Sequence, residues 1–187
     1  MNEQNASAVV QELQALVATL EKRIVSLEQK KAYKPLPVPP PKKTVLNYEA
    51  LKNLSQRRFD EASALLSDGH YDSACYMAGY SIELAFKARI CRVLDEDEFF
   101  ERATFKDFKI HHLPDLLILS GLRRKLETDR ANNGTLASHW SKVSIMWSEQ
   151  LRYSVPGQIS QFDAEQFFFT ISNSDHTGVL QWIQQHW

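Results

Sequence analysis

Four residues in one stretch combine chemically useful side chains with useful spacing. In Tyr71–Leu94, YDSACYMAGYSIELAFKARICRVL, the residues Tyr76, Tyr80, Glu83 and Lys87 share one face of a helix. Glu83 precedes Lys87 by four residues, the favourable order for a helical ion pair. Such a pair is either a solvated surface pair of small worth or a pair held in a crowded groove. The two tyrosines and the small, apolar residues on the opposite faces keep the groove reading open. His111-His112 is the other feature that suggests catalysis or metal binding. It also reads plainly as a loop ahead of a helix whose first turn holds Pro114. Of the two histidines, His112 is the site candidate. Two cysteines, Cys75 and Cys91, and six scattered histidines give no zinc spacing. The sequence shows no phosphate-cradling glycine loop, paired-carboxylate metal site or Ser-His-Asp arrangement, so neither a metal nor a cofactor is expected.

The element that must carry the tyrosine stripe is the Tyr71–Leu94 helix, which reads as the centre of a bundle. Ala74, Ala78, Gly79, Ala85 and Ala88 leave it small or apolar all round, and Met77, Ser81, Leu84, Ala88 and Cys91 form a second face. Glycine inside a helix costs about 1 kcal/mol against alanine, so Gly79 predicts the close approach of another helix. Asp72, just after Gly69-His70, is the expected N-cap. On one helix Cys75 and Cys91 stand ~24 Å apart, too far to bridge, and read as buried thiols.

Around this centre, Asn47 caps a helix to about Ser67 that turns Leu51, Leu54, Ala62, Leu65 and Leu66 inward, with Arg57-Arg58 on its solvated face. The acidic run Asp95–Glu98 reads as loop, and Phe99, Phe100, Phe105 and Phe108 suggest that it packs back. Leu113–Leu122 is a short helix, Arg123-Arg124-Lys125 a basic cluster, and Asn132-Asn133-Gly134 a turn. Thr135–Met146 is helical, with Trp140 and Trp147 as anchors. Pro156-Gly157 breaks the chain, and Ser160-x-x-Asp163 is a loose capping box for a last helix that Asn173–Gly178 bends or interrupts.

Three pieces in order resemble the HEPN domain family. Asp72-Ser73-Ala74, Tyr76-Met77-Ala78-Gly79-Tyr80, Glu83 and Lys87-Ala88 resemble its second helix. His111-His112-Leu113-Pro114-Asp115-Leu116-Leu117 resembles its H-D-L-x-x-L segment, and Trp147 followed by Leu151-Arg152-Tyr153-Ser154 its Arg-Tyr segment. The resemblance covers about Asn47 to Trp187. It implies an all-α, HEPN-like bundle of about five helices and a ligand groove of Tyr76, Tyr80, Glu83, Lys87, Arg152 and Tyr153, with Glu83 shared between Lys87 and Arg152. Aromatic faces stack a base, and Lys and Arg hold phosphate. Many family members are metal-independent ribonucleases that use an Arg followed four to six residues later by a His. After Arg152 those positions are Pro156, Gly157 and Gln158. The resemblance therefore implies a non-catalytic module that engages a nucleotide, RNA or a partner such as a nucleotidyltransferase or other effector, in a prokaryotic defence or toxin-antitoxin-type operon. Two alternatives are a divergent ribonuclease using Arg152 and His112, and a structural scaffold whose groove residues only staple helices.

Residues 6–31 carry a heptad pattern: Val10, Val17 and Ile24 at a; Leu13, Leu20 and Leu27 at d. This predicts a short coiled coil and a homo-oligomer, the other reading being an amphipathic helix docked on its own body. Five of the seven prolines fall in Ala32–Lys43, a semi-rigid spacer. The expected organisation is 1–31 oligomerisation helix, 32–46 Pro-rich linker and 47–187 bundle. Residues 1–46 hold seven Lys/Arg and four Glu, net +3; residues 47–187 hold 15 and 19, net −4, which argues against nonspecific coating of DNA. The start MNEQNASAVV is not that of a signal peptide, and no apolar run reaches the ~20 residues of a membrane span, so a cytoplasmic protein without a membrane partner is expected.

Overall fold

The structure is a computed structural model that describes residues 3–30, 46–95 and 110–187. Its contacts divide the chain into two units, Met1–Lys43 and Thr44–Trp187. The described part of the first unit is one helix, α1 (Glu3–Lys30). The second holds α2 (Tyr48–Ser67), α3 (Tyr71–Leu94), α4 (Leu113–Leu119), α5 (Arg123–Asn132), α6 (Gly134–Met146), a 3-10 turn (Glu149–Tyr153), α7 (Gln161–Ile171) and α8 (Val179–Gln184). No strand occurs among the described residues. The architecture is all-α, with more and shorter helices than about five. The Pro-rich linker and the stretch with Phe99, Phe100, Phe105 and Phe108 lie outside the described residues.

Helices α2 and α3 form a hairpin. The Asn47 side chain accepts the Ala50 N–H at 2.9 Å and so starts α2. Gly69, at φ +81°, turns the chain into α3. Midway along the hairpin the Ser55 hydroxyl donates to the Ser81 carbonyl at 2.7 Å, a contact that needs both helices close. Elements α4, α7, α8 and the 3-10 turn also pack on α3. Its buried residues run from Ala74 to Cys91 on every side, as a helix at the centre of a bundle requires. Cys75 and Cys91 are buried and form no disulfide.

The small residue at position 79 is explained by a side chain, not by a helix backbone. A Cβ built on Gly79 would lie 2.0 Å from Trp147 Cδ1. Trp147 follows α6, is buried, and donates from Nε1 to the Tyr76 carbonyl of α3 at 3.0 Å. The indole is thereby wedged against the helix backbone and ties the end of α6 to the centre of the fold.

Several local readings need correction. The N-cap of α3 is His70, not Asp72. Asp72 sits in the first turn, and its carboxylate accepts from the Gly157–Ile159 backbone of a distant loop. The Arg123-Arg124-Lys125 cluster opens a helix of its own, α5, because Leu126 is buried and Asp129 accepts the Trp182 Nε1–H of α8 at 2.8 Å. Helix α4 stops at Leu119, where Ser120 and Gly121 (φ +73°) turn the chain. The last helix is interrupted as the polar run suggested. Asn173 Oδ1 accepts the N–H groups of Asp175 and Thr177, and the Gln181 side chain holds both backbone groups of Asn173. Ser160 caps α7 through the Asp163 N–H at 3.1 Å.

The wedge makes a sign-dependent prediction. At an unobstructed helical site Gly→Ala stabilises by about 1 kcal/mol. Gly79→Ala is expected to destabilise instead, by about 1–3 kcal/mol, because the indole must shift out of a packed core. Urea unfolding of the variant measures it, and a gain in stability would show that Trp147 does not occupy this contact.

Candidate functional site

Two neighbouring features of α3 divide the predicted groove between them. The first is an ion cluster around Glu83. This carboxylate is buried, 1% exposed, on the stripe that carries Tyr76 and Tyr80. Oε1 accepts from Lys87 Nζ at 2.7 Å, and Oε2 meets His111 Nδ1 at 3.0 Å. The Lys87 side chain is 12% exposed and that of His111 37%. Burying a carboxylate is costly unless it is paired and hydrogen-bonded, and here one cation from the same helix and one ring from the segment before α4 do so. Beside it the Tyr76 and Tyr80 rings stack in parallel, 6.2 Å between centroids with 8° between planes. Burial first, then the negative charge of Glu83, pushes the Tyr80 phenol above its ordinary value.

The second feature is a cleft of about 440 Å³ between the N-terminal end of α3 and the segment that follows the 3-10 turn. Gly69, His70, Asp72, Tyr76, Arg152 and Gly157 are among its lining residues. One wall is set by Asp72. Its carboxylate accepts the N–H groups of Gly157 at 2.6 Å, Gln158 at 3.1 Å and Ile159 at 3.0 Å. A loop without regular structure has unsatisfied backbone donors, and a single carboxylate collects three of them here. Gly157 takes φ +89°, which the turn after Pro156 requires. The other wall is the 3-10 turn, held on α3 with Trp147 as the anchor just before it.

Arg152 stands on that turn, exposed, with its guanidinium over the Tyr153 ring at 5.0 Å. Among the described residues it forms no ion pair with a carboxylate, and Glu83 in particular pairs with Lys87 and His111 instead. The shared Glu83 is therefore real, but its second partner is His111 and not Arg152. Glu149, at the start of the turn, is held below the usual carboxylate range by its own backbone N–H, then by the Gln150 amide, with further contributions from the charges of His111 and Arg152. Tyr153 is exposed at the surface.

His112 is not at this site. It precedes α4 and faces Asp115 on the surface at 3.0 Å, both side chains more than half exposed. The histidine that reaches the cluster is its neighbour His111. His139 is also structural: it is buried, faces the Thr177 carbonyl at 3.0 Å through Nδ1 and meets the Phe169 ring edge-on. Of the predicted groove, the structure brings Tyr76 and Arg152 to the cleft and Tyr80, Glu83 and Lys87 to the adjoining cluster. Asp72 and His111 are additions. No group of His, Cys, Asp and Glu among the described residues is arranged to hold a metal ion. No helix among them is long and apolar enough to cross a membrane.

The family model for the HEPN domain matches residues 48–97, which takes in α2 and α3. The match contains Tyr76, Tyr80, Glu83 and Lys87 but stops short of His111 and Arg152. Neither the curated proteins nor the solved structures give a match to the chain.

Two measurements test the electrostatics. Lys87→Met leaves Glu83 buried without its nearest cation and is expected to cost about 3 kcal/mol of stability. Glu83→Leu combined with Lys87→Met should cost less than the sum of the single changes; strict additivity in urea unfolding would deny the coupling. The second concerns high pH. Burial, with the nearby charges of Asp72 and Asp163, pushes the Cys75 thiol up to about 12. A raised folded value stabilises the fold below the unfolded value, about 8.5, and that contribution is lost as pH rises toward the folded one. Stability should therefore fall above about pH 9, and Cys75→Ala should flatten the fall in urea midpoints measured across that range.

Proposed function

We propose that this chain is a non-catalytic HEPN-type binding module whose cleft holds a nucleotide or a short RNA by its phosphate. The observation that carries the reading is Arg152. It lines a cleft of about 440 Å³, opposite the first turns of α3, and has no carboxylate partner among the described residues. An exposed guanidinium beside a concave, partly aromatic wall is suited to an oxyanion, and the volume is that of a small-molecule site. Tyr76 in the same wall offers a ring for a base. The sequence supports binding over cleavage, since Pro156, Gly157 and Gln158 stand where a proton-transferring histidine would follow Arg152. A nucleotidyltransferase or another effector as partner follows from the family resemblance.

Arg152→Ala is expected to weaken binding of a ribonucleotide or short single-stranded RNA about tenfold or more, the worth of a charge-assisted hydrogen bond. Its thermal midpoint should stay within a degree or two of the wild type, because the side chain is exposed. Titrations at two salt concentrations and a thermal melt measure both. Absence of binding by the wild type, together with a collapsed melt for the variant, would favour a structural scaffold.

One observation favours a second reading. His111 is held through Nδ1 by buried Glu83, and its charge and that of Arg152 both act on Glu149. A histidine oriented by a carboxylate is equipment for general acid–base catalysis. A divergent ribonuclease would accordingly use Arg152 with His111, not His112. RNA incubated with the protein in chelator should remain intact; cleavage that disappears in both Arg152→Ala and His111→Ala would replace the binding reading with this one.

A further inference from the structure

We infer that α1 pairs with α1 of a second copy of this chain as a parallel, two-stranded coiled coil. The inference is independent of the cleft. Along α1, Leu13, Leu16, Val17, Leu20 and Ile24 are 56%, 55%, 53%, 49% and 54% exposed, a continuous apolar stripe half open to solvent. An apolar stripe of this length on a helix is stabilised by a partner, since helical stability in water comes mainly from packing of such a face. The side chains of Val10 and Leu27 lie outside the described residues, but their types complete the seam.

The seam residues choose the partner. Val10, Val17 and Ile24 at a, with Leu13, Leu20 and Leu27 at d, are the β-branched and leucine choices that favour two strands. The flanking charges choose the orientation. Position e is held by Gln14, Glu21 and Glu28, and Arg23 and Lys30 stand at g. In a parallel pair g faces e of the partner five residues on, which sets Arg23 against Glu28 on both sides of the two-fold axis. In an antiparallel pair e faces e, and glutamates oppose glutamates. Charge complementarity thus selects a second copy running in the same direction. Both chains then leave the coil at the same end, so two copies of the Thr44–Trp187 unit are tethered there and any ligand with two binding points meets them together.

The test uses the full chain. Light scattering should give twice the 21.5 kDa of one chain, and Leu20→Asp with Ile24→Asp should return it to a single chain. A wild-type mass of one chain, or of three or more, overturns the inference, as does an unchanged mass in the double variant. Arg23→Glu sets acid against Glu28 twice and should weaken dimerisation about tenfold. For orientation, Leu13→Cys and Ile24→Cys are each oxidised alone and as a mixture. A parallel pair gives a disulfide-linked dimer in each single variant. Linkage confined to the mixture means antiparallel helices, and no linkage at all means that these positions do not form the seam.

Discussion

The middle of α3, from Ser81 to Phe86, is buried, and it carries a carboxylate there at Glu83. Water is excluded from this carboxylate, so the protein must supply what water would have supplied. Lys87, one turn later, gives a cation without any demand on tertiary structure. His111 comes from the far side of a long connection, and its arrival fixes where the segment before α4 crosses α3. The charge therefore ties the segment before α4 to the middle of α3, where His111 meets Glu83, beside the packing of Leu113, Leu116 and Leu117.

The cleft follows from a similar demand placed on backbone groups. Pro156 and Gly157 break the chain between the 3-10 turn and α7, and the donors of the next residues need acceptors. Asp72 meets that need at a place where α3 is only beginning and its own first-turn carbonyls are already engaged. The loop is thus attached to the first turn of α3, and the cleft lies between that end of α3 and the segment that follows the 3-10 turn. The chemistry that α3 presents at its N-terminal end and the chemistry at its middle are joined by the Tyr76–Tyr80 stack.

What could be read from the sequence was what depends on near neighbours. Asn47, Ser160 and Pro114 announced helix starts because a cap or a missing N–H is a local matter. The small residues of α3 announced burial because periodicity survives in any helix. Glu83 and Lys87 were legible as a pair for the same reason. The rest depends on partners distant in the chain. Nothing in His111-His112 says which ring turns inward, since a loop has no period to separate them. Asp72 looked like a cap because capping is the common use of an acid beside a glycine turn, and its acceptors lie beyond residue 156. Arg152 was expected to pair with Glu83, but that carboxylate meets a histidine whose approach no spacing records. Helix α5 was hidden because its apolar content is low and Leu126 is its buried anchor.

The indole lodged against Gly79 links two positions 68 residues apart in sequence into a single unit of inheritance. Neither can drift alone. A side chain at 79 expels the ring, and a smaller residue at 147 leaves a void beside a helix that has no methyl group to fill it. Among divergent copies of this protein the two positions should change together or not at all, with alanine or serine at 79 accompanied by a narrower residue at 147. A lineage that keeps tryptophan is confined to glycine, and so keeps a helix weaker in isolation than its neighbours' packing makes it.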